Sequence, residues 1–166
     1  MASPNDDEIQ ALAARVAKHL LRAGLRLAVA ESCTGGWVAK ACTDLVGSSG
    51  WFLGGVVAYS NEAKAVMLGV REDTLGAAGA VSEPVVREMA AGILDRLGGE
   101  VSIAVSGIAG PDGGQPGKPV GMVWFAWGFD REDQREVRAE LRTFAGDREA
   151  VRRQAVVRAL AGVLDA

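Results

Sequence analysis

Short apolar runs alternate with longer amphipathic segments along most of this sequence. The apolar runs have the length of buried strands and lie at residues 26–30, 51–59 and 101–105. Two further strands are predicted at residues 122–129 and 135–144, joined as an antiparallel hairpin by a short polar segment. The alternation indicates an α/β fold, and the hairpin makes the sheet mixed. We therefore predict a three-layer αβα sandwich with a mixed, mostly parallel sheet.

Helix signals occupy the segments between the predicted strands. Apolar residues at helical spacing lead from Ile9 to a capping glycine, Gly24. The tripeptide Ser82-Glu83-Pro84 is typical of a helix start, with proline in the first turn. Further helical segments are predicted at residues 37–45, from Ser60 or Asn61 onward, at 71–79 (a short helix or turn), and from 146 to the C-terminus.

Composition excludes several classes of protein. Of the 166 residues, 49% are hydrophobic and 23% charged, which is typical of a soluble globular domain, predicted to span residues 1–166. A net charge of −3 disfavours a general nucleic-acid binder, which needs a basic face. No apolar run is long enough to cross a bilayer, and the acidic first ten residues do not resemble a secretory signal. We expect a cytoplasmic protein without nucleic-acid or membrane partners.

The side-chain inventory disfavours metal sites and histidine-dependent triads. Cys33 and Cys42 are separated by eight residues, which matches no zinc spacing, and His19 is the single histidine. His19 also lies within a predicted helix, where it is a poor member of a Ser-His-Asp triad. We predict no metal and no cofactor.

Three loops of small and polar residues follow the predicted parallel strands, at residues 31–36, 60–64 and 106–121. Ligands of open α/β sheets bind in the crevice at the carboxyl ends of the strands, so these loops are expected to converge. In the first loop, Gly35 and Gly36 leave backbone N–H groups uncovered that can hold an anion or a developing oxyanion. Simple capping of the following helix explains the same residues equally well.

Lys64 lies in the second loop, and lysine is scarce in this chain, with 4 lysines against 14 arginines. Lysine loses its proton when it is desolvated, whereas arginine does not, so Lys64 is a candidate base. The alternative is a solvated lysine in the first turn of a helix, paired with Glu62 or Asp73.

The third loop is dense in glycine over residues 106–114, which lets its backbone approach a phosphate or a flat ring closely. Asp112 could meet a sugar hydroxyl, although a turn-rich crossing to the next strand also explains the segment. Arg148 and Arg152 lie four residues apart at the start of the last helix, where they form either a phosphate site or a charged surface.

Five short motifs follow one another along the chain. They are Ala30-Glu31-Ser32-Cys33-Thr34-Gly35-Gly36, Gly47-Ser48-Ser49, Tyr59-Ser60-Asn61-Glu62-Ala63-Lys64, Gly79-Ala80-Val81-Ser82, and residues 106–114 through Lys118-Pro119-Val120-Gly121. Together and in this order they resemble one known family, the nicotinamide-nucleotide amidohydrolases, also called PncC or the CinA C-terminal domain. The resemblance covers nearly the whole chain, and the chain resembles the stand-alone form of the family.

The resemblance implies hydrolysis of the carboxamide of nicotinamide mononucleotide to nicotinate mononucleotide and ammonia, in the recycling of pyridine nucleotides. Two alternatives remain open. One is a non-catalytic module that binds a pyridine nucleotide or an ADP-ribose-like ligand, and the other is an accessory protein in competence or DNA damage. We also expect a homo-oligomer, most simply a dimer.

A Ser/Lys mechanism fits the available side chains best. We expect Ser32 to attack the amide, Lys64 to accept its proton, and Tyr59 to relay a proton or orient Lys64. Backbone N–H groups near Gly35 and Gly36 would hold the oxyanion. The residues predicted to bind substrate are Thr34, Gly35, Gly36, Ser48, Ser106, Gly107, Ala109, Gly110, Asp112, Gly113 and Arg148. The alternative nucleophiles are Ser48, Ser49, Ser60 and Ser106.

Overall fold

The computed structural model describes residues 2–165. Its helices are α1 (Asp6–Ala23), α2 (Trp37–Thr43), α3 (Asn61–Leu68), α4 (Glu72–Ala78), α5 (Glu83–Leu97) and α6 (Arg148–Leu164). Its strands are β1 (Leu27–Glu31), β2 (Phe52–Val57), β3 (Val101–Gly107), β4 (Met122–Arg131) and β5 (Gln134–Thr143). Each element falls on a segment predicted to have that structure, and the differences lie at the element ends.

The five strands form one sheet in the order β2-β1-β3-β4-β5. Strand β1 pairs in parallel with both β2 and β3, whereas β4 is antiparallel to β3 and to β5. Four of the five strands consequently point the same way, and β4 alone is reversed. The prediction of a mixed, mostly parallel sheet is confirmed.

Helices cover both faces of the sheet. On one face, α1, α2 and α6 pack against large side chains that project from the strands. These side chains include Val29, Ile103, Phe125 and Trp127. The other face is lined by alanines, and α5 packs there together with residues of α3 and α4. The small side chains of this face are Ala28, Ala30, Ala104 and Ala126. The two covered faces make the three-layer αβα sandwich that the sequence predicts.

Helix α6 lies close against β4 because residue 162 is glycine. A Cβ atom at Gly162 would lie 2.0 Å from Cε2 of Trp127. The indole Nε1 of Trp127 donates to the carbonyl of Ala159 at 2.8 Å, which fixes the helix against the ring. Asp147 caps the other end of α6 by accepting from the N–H of Ala150. These contacts set the position of the arginines in the first turns of α6.

The carboxyl ends of β1, β2 and β3 lie along the same edge of the sheet, since these strands are parallel neighbours. The loops after these strands therefore converge, as predicted.

Candidate active site

Ser32 and Lys64, which are 32 positions apart in the chain, meet at the carboxyl edge of the sheet. Ser32 directly follows β1, and Lys64 lies in the first turn of α3, just after β2. Ser60 caps α3 by accepting from the N–H of Ala63 at 3.0 Å, which fixes the start of the helix. Lys64 Nζ lies 3.0 Å from Ser32 Oγ. The structure thus brings together the predicted nucleophile and the predicted base, whose catalytic roles stay predictions.

Three oxygen atoms surround Lys64 Nζ, each at 3.0 Å: Ser32 Oγ and the main-chain carbonyls of Ala58 and Tyr59. A carbonyl oxygen can only accept a hydrogen bond, whereas a hydroxyl can also donate. A neutral amine has two N–H groups and one lone pair. When Lys64 is neutral, its N–H groups therefore donate to the two carbonyls, and its lone pair faces the Ser32 hydroxyl.

Lys64 is only 1% exposed, and this burial lowers its pKa below the ordinary lysine value because the charged form loses its hydration. The ion pairs found among residues 2–165 do not include Lys64. The alternative of a solvated lysine paired with Glu62 or Asp73 is therefore wrong.

Glu31 is a buried carboxylate next to Ser32, and no catalytic or structural role was predicted for it from the sequence. Its Oε2 accepts from Thr34 Oγ1 at 2.5 Å and from the N–H groups of Gly36 and Val38, both at 3.1 Å. Its Oε1 accepts from the N–H of Ala39 at 2.8 Å. Glu31 therefore caps α2 from the preceding strand and holds the Ser32 loop against the helix. An acidic residue that ends an apolar strand just before a helix was the available signal.

The structure contradicts the prediction that the N–H groups of Gly35 and Gly36 hold an oxyanion. The N–H of Gly35 donates to the carbonyl of Ser32 at 3.0 Å, and the N–H of Gly36 donates to Glu31. The predicted substrate contact of the Thr34 side chain is also unsupported, because this hydroxyl is buried and donates to Glu31. Glu31 accepts from the Thr34 hydroxyl and the N–H of Gly36, and the Ser32 carbonyl accepts from the N–H of Gly35, so these donors are already occupied within the protein.

Arg152 reaches from α6 to the loop that carries Ser32. Its Nε donates to the carbonyl of Cys33 and its Nη2 to the carbonyl of Thr34, both at 3.0 Å. Its guanidinium also lies over the ring of Trp37, 5.3 Å from the centroid. Arg152 is thus half-buried and holds two successive carbonyls of the Ser32 loop.

Arg148 connects the second loop to the third. Its Nη1 donates to the carbonyl of Gly110 at 2.7 Å, and its Nη2 donates to the hydroxyl of Tyr59 at 3.2 Å. Tyr59 meets Lys64 through its main-chain carbonyl, so the phenol does not orient the lysine as predicted. Both Arg148 and Tyr59 are exposed at the mouth of the site.

The remaining predicted residues of the third loop divide into a buried and an exposed group. Ser106 and Ala109 are buried, and the Ser106 hydroxyl donates its proton to the carbonyl of Ala80 rather than to Lys64. Gly107 allows close packing, since a Cβ there would lie 2.6 Å from Cγ2 of Val123. Asp112 and Gly113 are exposed at the tip of the loop.

Ser48 does not reach the site. It begins a short 3₁₀ helix, Ser48–Gly50, that immediately precedes β2, whereas Lys64 lies beyond the other end of that strand. Six extended residues span about 20 Å. The prediction that Ser48 binds substrate is wrong, and Ser49 is excluded as nucleophile for the same reason.

Cys33 is buried beside Ser32, and burial raises the pKa of its thiol to about 12. The nucleophile of thiol chemistry is the thiolate, which such a cysteine does not supply near neutral pH. The hydroxyl of Ser32, rather than the thiol of Cys33, lies at hydrogen-bond distance from the Lys64 amine.

The model of the CinA C-terminal domain matches residues 9–166. The chain belongs to the CinA C-terminal domain family. The family resemblance found in the sequence motifs is thus confirmed.

Similar members of the CinA family carry an enzymatic name. The chain is 54% identical over 158 residues to the nicotinamide-nucleotide amidohydrolase PncC of Escherichia coli strain K12, covering 93% of this chain and 92% of that protein. It is 52% identical over 158 residues to the PncC of Pseudomonas putida, covering 95% of this chain and 96% of that protein. A competence damage-inducible protein A from Klebsiella pneumoniae has the same fold, with a TM-score of 0.88, 46% identity and 95% of each chain covered.

Two further observations concern partners of this CinA-family chain. Within residues 2–165, no three side chains of His, Cys, Asp or Glu lie together in a way that could hold a metal ion. None of the helices in that range is both long and apolar enough to cross a bilayer.

Proposed function

We propose that this chain hydrolyses the carboxamide of nicotinamide mononucleotide to nicotinate mononucleotide and ammonia. The proposal rests mainly on the buried Lys64 amine. Its Nζ lies 3.0 Å from Ser32 Oγ, and two main-chain carbonyls accept its other hydrogen bonds. This arrangement suits a serine nucleophile activated by a neutral amine. The relatives in Escherichia coli and Pseudomonas putida are named for an amidohydrolase of nicotinamide nucleotide, which supports the substrate class.

The reaction proceeds through an acyl-enzyme. Ser32 Oγ attacks the amide carbon while its proton passes to the lone pair of Lys64, and a tetrahedral oxyanion forms. The Lys64 ammonium returns that proton to the departing nitrogen, which leaves as ammonia as the C–N bond breaks. Water then attacks the acyl carbon while Lys64 accepts one of its protons. The ester bond between the acyl carbon and Ser32 Oγ breaks, the departing Ser32 oxygen takes the proton back from the Lys64 ammonium, and nicotinate mononucleotide leaves.

Arg148 is the proposed ligand of the substrate phosphate. Its guanidinium is exposed at the mouth of the site and lies between the second and third loops. A planar guanidinium binds phosphate oxygens with paired hydrogen bonds. Asp112, at the exposed tip of the third loop, is the proposed partner of the ribose hydroxyls. These assignments predict that loss of either side chain raises KM more than it lowers kcat.

The test is ammonia release from nicotinamide mononucleotide by the wild type and by Ser32→Ala and Lys64→Met. We expect both variants to lose at least about 10³-fold in kcat, the upper part of the range for a positioned base. Lys40→Met and Ser48→Ala are matched controls, since Lys40 is an exposed partner of Asp44 and Ser48 lies at the far end of β2. Full activity of either dyad variant would overturn the mechanism.

A non-catalytic binding module gives a different result in the same experiment. Such a protein would bind the nucleotide, detected by calorimetry, but would release no ammonia in any variant. The proposed enzyme releases ammonia, and its Lys64→Met variant still binds the nucleotide. Measuring binding by calorimetry therefore distinguishes a variant that has lost catalysis from one that no longer binds the nucleotide.

We further propose that the protein is a cytoplasmic homodimer that joins two copies through β2. This strand lies at one edge of the sheet, and its outward side chains Leu53 and Val57 are exposed. Its six residues include no charged residue or proline, the devices that usually protect an edge strand. Sedimentation equilibrium should show a dimer for the wild type and a monomer for the double variant Leu53→Lys, Val57→Lys. A monomeric wild type would refute the pairing.

A further inference from the structure

We propose that Arg152 is a positioning residue that aims the N–H of Thr34 at the developing oxyanion. This inference deepens the proposed function and rests on it. The oxyanion donors predicted from the sequence are occupied, so the site needs others. The structure assigns that role to the two N–H groups that directly follow Ser32 in the chain.

The N–H groups of Cys33 and Thr34 are the unused donors beside the nucleophile. Within the part of the chain that the structure describes, the N–H of Thr34 has no hydrogen-bond acceptor, and the N–H of Cys33 has none but the thiol of its own side chain. Cys33 is 5% exposed and Thr34 is fully buried. Buried backbone N–H groups without a partner are rare, since each costs free energy, so the free N–H of Thr34 beside a nucleophile indicates that a ligand atom completes it.

Arg152 fixes the peptide unit that carries one of these donors. In a trans peptide the C=O and the N–H point in opposite directions. Because Arg152 Nε holds the carbonyl of Cys33 at 3.0 Å, the N–H of Thr34 in the same peptide unit points away from α6. A hydrogen bond to the carbonyl also polarises the peptide and strengthens its N–H as a donor.

The peptide unit between Thr34 and Gly35 is also fixed, because both its C=O and its N–H are hydrogen-bonded. It therefore cannot rotate independently of the Ser32 loop. The carbonyl of Thr34 accepts from Arg152 Nη2 at 3.0 Å and from the N–H of Trp37 at 3.1 Å. The N–H of Gly35 donates back to the carbonyl of Ser32. A fork with two donors in one plane suits two successive carbonyls, which explains arginine rather than lysine at this position.

The chain offers a matched control in the adjacent residue. Arg153 also lies over Trp37, 4.9 Å from the ring centroid, but its hydrogen bonds go to Glu149, Pro4 and Asp6 rather than to the Ser32 loop. Arg153→Met therefore removes a cation–π contact and two ion pairs without touching the proposed oxyanion donors.

The experiment measures kcat and KM for ammonia release by Arg152→Met, Arg153→Met and Arg148→Met. We expect Arg152→Met to lose about 30- to 100-fold in kcat with KM nearly unchanged. This is less than the roughly 10²- to 10³-fold cost of removing an oxyanion donor, because the N–H of Thr34 remains but is no longer held in place. Arg153→Met should keep the wild-type kcat, and Arg148→Met should show mainly a raised KM. Wild-type kcat in Arg152→Met would overturn the inference.

A pH profile and a rescue experiment exclude a merely structural effect. Burial, rather than the charge of Arg152, lowers the pKa of Lys64. Arg152→Met should therefore keep the midpoint of the pH–kcat profile that Lys64 sets and lower only the maximal kcat. Guanidinium ion added to Arg152→Ala should restore part of kcat, and a shifted midpoint or no rescue would count against positioning. If the wild type releases no ammonia, the proposed function fails. If the wild type is active, Ser32→Ala and Lys64→Met are inactive and Arg152→Met is fully active, the inference alone fails.

Discussion

Lys64 Nζ and Ser32 Oγ lie 3.0 Å apart in a buried setting, with the carbonyls of Ala58 and Tyr59 at the same distance from the amine. The arrangement distinguishes the two protonation states of the lysine. The ammonium donates three hydrogen bonds, one of them to Ser32, and holds no lone pair. The neutral amine keeps both carbonyl contacts and gains an acceptor for the serine proton. Activity therefore depends on the neutral form.

The first prediction concerns pH. Burial lowers the pKa of Lys64 below the ordinary lysine value of 10.5, so the fraction of neutral amine rises with pH through that lowered pKa. We expect kcat to rise with pH along a single limb whose midpoint lies below 10.5 and to level off above it. Ammonia release measured from about pH 5 to about pH 10 checks this expectation.

Lys64→Arg should be inactive at every pH in that range, because the guanidinium stays protonated. Small primary amines should restore part of the activity of Lys64→Ala, with a midpoint that follows the pKa of the added amine. A midpoint independent of the amine would show that another group sets the profile.

The second prediction concerns the stability that Glu31 provides. Glu31→Ala leaves four donors without an acceptor, among them the buried hydroxyl of Thr34. Each unsatisfied buried group costs about 1–3 kcal/mol, so we expect a loss of at least about 3 kcal/mol in the free energy of unfolding. Urea denaturation measures it. Glu149→Ala removes an exposed carboxylate paired with Arg153 and should cost less than about 1 kcal/mol.

The third prediction concerns the thiols. Burial raises the pKa values of Cys33 and Cys42 to about 12, so both remain protonated at pH 8. Iodoacetamide at that pH should leave the folded protein unmodified and fully active, while both cysteines react in urea. Mass spectrometry of the intact protein gives the number of alkylated cysteines. Rapid modification of Cys33 with loss of activity would show that the Ser32 loop opens readily.

The fourth prediction concerns a residue remote from the site. Gly162→Ala forces α6 away from Trp127, since the added Cβ would lie 2.0 Å from Cε2 of the ring. Overpacking of this kind costs about 1–3 kcal/mol. Arg152 lies ten residues away on the same helix, about 15 Å along its axis. We therefore expect kcat to fall together with stability.

Gly76→Ala in α4 is the matched control, because no atom lies within 4 Å of a Cβ placed there. It should keep wild-type kcat and stabilise slightly, since alanine favours a helix over glycine. Equal effects of the two variants would contradict the role assigned to the position of α6.

Periodicity predicted the sheet and the convergence of its loops because strand and helix patterns depend on local side-chain alternation. The same reasoning placed Ser32 and Lys64 at one edge, since parallel neighbours align their carboxyl ends. Ser48 was assigned wrongly because it was taken from a motif alone. The order of elements along the chain already puts Ser48 before β2 and Lys64 after it, at opposite ends of that strand.

The backbone contacts were beyond prediction. Nothing in the sequence says that the Glu31 carboxylate turns into α2 and takes the N–H of Gly36. Arg148 and Arg152 of α6 look alike in the sequence as a pair four residues apart. Arg152 holds two carbonyls of the Ser32 loop, whereas Arg148 is exposed and links Gly110 to Tyr59. Such choices depend on angles between elements that are distant in the chain.

Helix α6 supplies the final parts of the site, although it is the last helix of the chain. During synthesis, Ser32 and Lys64 emerge from the ribosome long before Arg148 and Arg152. A nascent chain that ends before α6 holds the nucleophile and the base but lacks both guanidinium groups. On the proposed roles, amide cleavage therefore begins only once the C-terminal helix has docked, and partly made chains leave the cell's pyridine nucleotides untouched.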